Sequence, residues 1–219
     1  MTISFPRDFP ASIASVSGQT TLKRNQTVAL TGDGPDVAEI APPIWKGEYS
    51  IMVKGRAAIA EMAAWFTSLR GGLRTFKGVP IRAGLKLYRW PLMHPRGFTG
   101  LLLAGVQWNG LGKISAIGAQ RDTITINSIP NGVTLSIGDF VSFAIGTRQH
   151  LFKILEGGTS ASNTVTVTVE PTVRPDAVTG GDVRFEYPYC DMVITGDYSF
   201  PENDFTQSVA SFQSLQKTI

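Results

Sequence analysis

The chain is poor in the residues that carry most protein chemistry. Among its 219 residues there is one cysteine, Cys190, and there are two histidines, His94 and His150. A single cysteine excludes an intrachain disulfide, and a thiolate zinc cage would need sulfur from other chains. Neither histidine has glutamate or cysteine beside it at ligand spacing, so no metal site is expected within the chain. Charged residues make up 17% of the sequence, and the formal net charge of +3 gives no reason to expect a specific nucleic-acid partner. Runs of eighteen apolar residues are also missing. The longest candidate, Phe98 to Trp108, is interrupted by Thr99, Gly100, Gly105 and Gln107 and is too short to cross a bilayer. The opening MTISFPRDFP lacks the basic region and apolar core of a secretion signal, which leads to the expectation of a soluble chain made in the cytosol. Acidic residues are absent from Met62 to Arg121.

What is abundant points to β structure. Hydrophobic residues reach 42%, with 23 glycines and 13 prolines to make turns. Ile124 and Ile126, then Val133, Leu135 and Ile137, then Val141, Phe143 and Ile145 place apolar side chains at every second position. Successive strand residues face opposite sides, so each run has one buried and one wet face. Pro130-Asn131-Gly132 and Gly138-Asp139 supply turns between them. Leu151 to Leu155, then Val165, Val167 and Val169, then Val183, Phe185 and Tyr187 extend the meander, and strands at this spacing predict a small barrel or sandwich.

The first third has another rhythm. Strand-like runs at Ile13 to Val16, Thr27 to Leu30 and Tyr49 to Val53 are divided by Gly18, by Gly32-Asp33-Gly34-Pro35 and by Pro42-Pro43. From Arg56 to Leu69 the period changes: Ile59, Met62, Ala63, Phe66 and Leu69 recur at steps of three and four, the stripe of an amphipathic helix. Arg70 is placed in its last turn and Gly71-Gly72 at its stop. Trp65, on the shoulder of the stripe, is expected to pack on the neighbouring sheet. The segment Trp90 to Gly97 reads as a connection between units, and the tail after Tyr187-Pro188 reads as returning to the first unit. In that tail Phe205, Val209, Phe212 and Leu215 fit neither a strict strand nor a helix spacing. The resulting fold class is mainly β with one helix over 56–69. A β-sandwich or barrel first domain spans 1–96 and 189–219, and a small inserted β-barrel, OB-like or similar, spans 97–188.

The acid-free segment carries Arg70, Arg74, Lys77, Arg82, Lys86, Arg89, Arg96, Lys113 and Arg121. A basic stripe of this kind suits phosphate, lipid headgroups or an acidic protein surface, while the plainer reading is a set of solvated loops balanced by acids elsewhere. The first six of these residues, Arg70 to Arg89, are the candidate interface. Catalytic constellations are faint. Cys190 is read as a small buried hydrophobe rather than a nucleophile paired with His94 or His150. Glu186 with Asp191, or Glu202 with Asp204, form a carboxylate pair only on paper, and Asn25-Gln26-Thr27 is a chance sequon. Neither a Walker phosphate loop nor a dinucleotide glycine pattern occurs. No enzyme activity and no cofactor are expected.

Several segments resemble one family. INSIPNGVTLSIGDFVSF (126–143), HLFKILEG (150–157) and PTVRPDAVTGGDVRF (171–185) are similar to the inserted β domain of distal tail proteins of long-tailed bacteriophages, especially the type found in alphaproteobacterial phages and prophages. IWKGEYSIMVKGRAAIAEMAAWFTSLRGGLRTF (44–76) resembles their first domain, whereas GLRTFKGVPIRAG (72–84) departs from the more compact stretch of that family. The resemblance implies a virion structural protein at the tail tip, assembled in the host cytoplasm. It would form a ring, usually of six copies, between the tail tube protein and the baseplate hub protein, with no catalytic residues and no membrane insertion. The alternative is a carbohydrate- or receptor-binding β module that touches a host surface glycan, using an aromatic platform drawn from Trp108, Phe140, Phe143, Phe152, Tyr187 and Tyr189. A cell-wall enzyme is the third, least supported reading.

Overall fold

A computed structural model describes residues 4–31, 34–82, 86–200 and 206–218, with backbone only for 28–31, 34–37, 82 and 86. Among the described residues the fold is mainly β with a single α-helix. Two long strands, β1 (Ile13–Thr31) and β2 (Gly34–Lys54), form one antiparallel hairpin. The helix α1 (Arg56–Leu69) follows, then the short strand β3 (Phe76–Gly78). The last two strands, Cys190–Ser199 and Gln207–Gln216, come back between β2 and β3 and complete a five-stranded sheet that curls into a half-barrel.

The helix closes the hollow of that sheet because its stripe is apolar: Ile59, Met62, Phe66 and Leu69 are buried, and Trp65 is 1% exposed. Trp65 meets Phe76 and Phe212 on the sheet at ring-centroid separations of 5.4 and 5.9 Å, as the sequence predicts. Buried aromatic contacts of this type add about 1 kcal/mol each beyond simple area burial. The helix end differs from expectation. Arg70 lies past the last turn and is itself the left-handed cap, at φ 50°, with its amide donating to the Thr67 carbonyl. Gly71, also left-handed at φ 58°, continues the reversal.

The three runs expected in the first third are in fact one 19-residue and one 21-residue strand. Gly18 does not end β1. It keeps φ at 126° so that the strands can close up, since a Cβ there would lie 1.9 Å from the Glu48 carbonyl oxygen. Pro42 and Pro43 fall in a register shift between the pairs Lys23↔Ile44 and Asn25↔Ala41, where no ladder bond is required of them. The strands therefore run through Gly18 and Pro42-Pro43, whereas β1 ends at Thr31 and β2 begins at Gly34, as the third mark predicts; Gly32 and Asp33 themselves lie outside the described residues.

From 111 to 184 the chain forms a closed six-stranded barrel in the order Phe140–Ile145, Arg148–Glu156, Thr164–Glu170, Thr123–Asn127, Leu111–Ile117 and Asp182–Arg184. Ser142↔Arg184 and Phe143↔Val183 close it. Its core is the alternating set: Ile124, Ile126, Val141, Phe143, Val165, Val167, Val169 and Val183 all point inward. Ile137 does not join Val133 and Leu135 inside; it is 73% exposed, carried on the turn that ends at Asp139. Leu151 faces the other way from its neighbours Phe152 and Ile154 and packs into the core of the first sheet. The Trp45 indole N–H donates to the Leu151 carbonyl at 2.7 Å, tying the two β units together.

Candidate interaction surface

The curled sheet leaves its two edge strands, β1 and β3, facing a groove of about 920 Å³. One wall is the outer edge of β1 from Ile13 to Val16, to which, among the described residues, no backbone hydrogen bond from another strand runs. The edge of β3 is partly occupied: Arg7 bridges to Phe76, its amide donating to the Thr75 carbonyl at 3.1 Å and its carbonyl accepting from the Lys77 amide at 2.9 Å. The rim opposite is cationic and aromatic. Arg89 lies with its guanidinium 4.8 Å from the Trp90 ring and 5.1 Å from the Tyr187 ring. Lys77 and Arg184 both approach Tyr189, at 5.3 and 6.0 Å. Stacking removes rotamer freedom from these cations before any ligand arrives. Tyr187 is held left-handed at φ 46°, with its amide donating to the Arg89 carbonyl at 2.9 Å. A non-glycine residue at that φ carries a conformational cost, and such residues concentrate at functional surfaces.

The six cations of the candidate interface do not form one stripe. Lys77 and Arg89 line the groove and pair with Asp8 at 2.9 Å and Glu186 at 3.4 Å. Arg70 and Arg74 sit beyond the C-terminal end of α1, Arg70 exposed and Arg74 stacked 4.8 Å above the Phe5 ring. The side chains of Arg82 and Lys86 lie outside the described residues. Of the other cations in the acid-free segment, Arg121 is spent on carbonyls, donating to Val173 at 2.7 Å and also to Arg174 and Ala177. Sequence reasoning missed Arg184, Asp8 and Tyr189 as members of the groove wall. Arg184 lies between the core residues Val183 and Phe185, and only the closed barrel brings it to the groove that Lys77 lines.

A second feature is the far part of the β1–β2 hairpin. The last two strands of the sheet reach β2 only as far back as Lys46, so from residue 44 backward the hairpin has no neighbour on its β2 edge among the described residues. Lys23, Arg24, Gln26 and Thr27, together with Ala38, Glu39 and Ile40, are exposed. The ion pair of Arg24 with Glu170, at 2.6 Å, anchors the base of this arm to the barrel.

The residues that carry proton chemistry are structural here. Cys190 is fully buried, and burial first, then the Asp191 carboxylate, push its thiol well above the usual range. Neither property suits a nucleophile. His94 accepts from the Thr134 amide at 3.2 Å, and burial lowers its pKa. His150 is 5% exposed and sits where the barrel meets the first sheet. The Gln216 amide oxygen accepts from the Trp45 backbone N–H at 3.2 Å, so its nitrogen faces His150 Nδ1 at 3.1 Å and donates to it. The imidazole proton is thereby placed on Nε2, which has no hydrogen-bond partner among the described residues. Burial, then Arg174, lower the His150 pKa to about 4. Glu186 and Asp191 do not act as a pair, since Glu186 meets Arg89 and the buried Asp191 meets Arg148 at 3.5 Å. Glu202 and Asp204 lie outside the described residues. No group of three His, Cys, Asp or Glu residues fit to hold a metal occurs among the described residues.

Four of the six residues of the aromatic platform have their faces occupied within the protein. Trp108, Phe143 and Phe152 are buried in the barrel, and Phe140 stacks edge-on against Trp45 and Tyr88. Tyr187, 39% exposed, and the half-buried Tyr189 remain, both at the groove. No helix among the described residues is long and apolar enough to cross a membrane. Compared with known proteins, the chain matches no protein-family model, and no curated protein matches it.

Proposed function

We propose that this chain is a structural subunit of a symmetric assembly, the distal tail ring of a long-tailed bacteriophage, joining the tail tube to the baseplate hub. The observation that carries this reading is the hairpin arm. A two-stranded ribbon exposed along its edge is marginal in water, and an open edge of this length invites another chain. A ring subunit gives such an arm a partner in every copy. The resemblance of residues 44–76 and 126–185 to distal tail proteins supplies the identity of the assembly. The firm junction between sheet and barrel, with Trp45 bonded to Leu151 and Leu151 in the core of the sheet, suits a part that transmits force rather than one that turns over substrate.

The test is mass measurement and negative-stain imaging of the purified protein over a concentration series, with and without tail tube protein. Closed rings of a fixed copy number that cap tube ends are the expected outcome. A chain that stays monomeric at high concentration and ignores tube protein would sink the reading.

A further inference from the structure

The groove and the arm sit at opposite ends of the same strand. Ile13 to Val16 wall the groove, and the arm ends at Thr31, where β1 pairs with Gly34. Fifteen residues of extended chain separate Val16 from Thr31, roughly 50 Å at the usual strand rise. The arm tip therefore cannot fold back into the groove of its own molecule. Their charges are opposite. The groove is lined by Lys77, Arg89 and Arg184 against a single carboxylate, Asp8, and is net cationic. Residues 25–41 contain Asp33, Asp36 and Glu39 and no lysine or arginine. Their backbones also match, because β1 has an open edge in the groove and β2 an open edge along the arm.

We infer that the acidic hairpin arm of one copy docks in the cationic groove of the next, adding its β2 edge to the open β1 edge beside Ile13–Val16. This rests on the ring reading above and names the contact that would build it. Strand addition supplies main-chain hydrogen bonds, and the ordered cations select for acidic strands. The ion pairs Lys77–Asp8 and Arg89–Glu186 do not block this. In each pair one partner is open to solvent, Asp8 at 76% and Arg89 at 53%, and pairs open to solvent contribute about 0–1 kcal/mol, so an arriving carboxylate competes with them. Arg184 has only the Tyr189 ring beside it and meets no carboxylate among the described residues. Because the two surfaces differ, the contact is head-to-tail, the type that closes a ring when the rotation per copy divides a full turn.

Charge reversal on both sides tests this. Arg89→Glu with Arg184→Glu makes the groove acidic, and Asp36→Lys with Glu39→Lys makes the arm basic. Each double variant alone opposes like charges at every contact, and its self-association should weaken by about tenfold or more in sedimentation velocity. Mixed in equal amounts, the two variants alternate matched contacts and should regain assemblies of wild-type mass. Circular dichroism and thermal melts of each variant establish that it folds. Variants that assemble alone as well as wild type overturn the inference and leave the ring reading standing. So does a mixture that fails to assemble although both variants are folded. A wild-type chain that never assembles removes both. If groove reversal abolishes binding of a soluble acidic polysaccharide while assembly persists, the groove serves another ligand and the inference falls.

Discussion

Asp139 shows how much a single side chain holds. It is 1% exposed, and its carboxylate accepts from the Tyr88 hydroxyl at 3.0 Å, the Leu92 amide at 2.7 Å and the Ser136 amide at 2.8 Å. Two of these donors belong to the connection that runs from the first sheet to the barrel, so Asp139 clamps that connection. Asp139→Ala leaves all three donors without their acceptor, and the expected loss is about 2–4 kcal/mol, read as a lower urea midpoint. His150 makes stability depend on pH. Its folded pKa of about 4 lies below the ordinary value of 6.5, so the unfolded chain binds its proton first as pH falls. Stability on this account is full above 6.5, declines between 6.5 and 4, and levels off below, a loss of roughly 2–3 kcal/mol. Asp191 works in the opposite direction: burial raises its pKa above 3.8, so its contribution is full below 3.8 and is lost as pH rises through the folded value. His150→Asn keeps an acceptor for Gln216 and removes the titration. Wild type should be weaker in urea at pH 4.5 than at pH 7, and the variant should lose that drop, with Asp191 still acting in the opposite sense. At this scale the sequence was only half readable, because Asp139 looks like any turn aspartate until Tyr88 arrives from 51 positions away.

At the scale of elements, legibility follows the chemistry of the inward face. The barrel strands announced themselves because Val165, Val167 and Val169, or Ile124 and Ile126, are apolar on the buried side and polar on the other. The strand Gln207–Gln216 was opaque for the opposite reason. Of its buried positions, Ser208, Ala210, Ser214 and Gln216 are small or polar and Phe212 alone is a large apolar side chain, while Val209 is exposed. Ser214 is admitted to the interior because its hydroxyl donates to the Gly47 carbonyl at 3.3 Å, and Gln216 because it bonds Trp45 and His150. The long hairpin was misdivided because Gly18 and Pro42-Pro43 usually end strands, yet here they mark a close approach and a bulge. Gly18→Val distinguishes the two meanings of that glycine. Were Gly18 a mere break, the variant would be neutral; placed against the Glu48 carbonyl at φ 126°, it should cost roughly 2 kcal/mol or more, a fall of about 4–8 °C in melting temperature. The groove was less legible still. Lys77 and Arg89 stood out through the missing acids around them, but Arg184 and Tyr189 join them only through barrel closure and the return of the chain to the first sheet.

For the whole molecule, the division of labour between body and arm is open to direct test. The body is held by two cores that meet at Leu151 and by the bonds from Trp45 and Asp139, none of which involves residues 24–43. Among the described residues, the ion pair by which the arm holds to the body is that of Arg24 with Glu170, a partly exposed contact worth about 1 kcal/mol or less. Lys23 and Ile44 are opposite partners, so an Asn-Gly turn can replace residues 24–43 without disturbing the register below. The shortened chain should melt within about 3 °C of wild type, since a surface ribbon adds little to the cooperative core. On the ring reading proposed above, its mass should nevertheless remain that of a monomer at concentrations where wild type is expected to assemble, as measured by analytical ultracentrifugation. A shortened chain that still closes into rings would move the assembly contact from the arm to the body. One that fails to fold would show instead that the hairpin helps to build the curled sheet, and the arm would then be a structural strand pair rather than a coupling between copies.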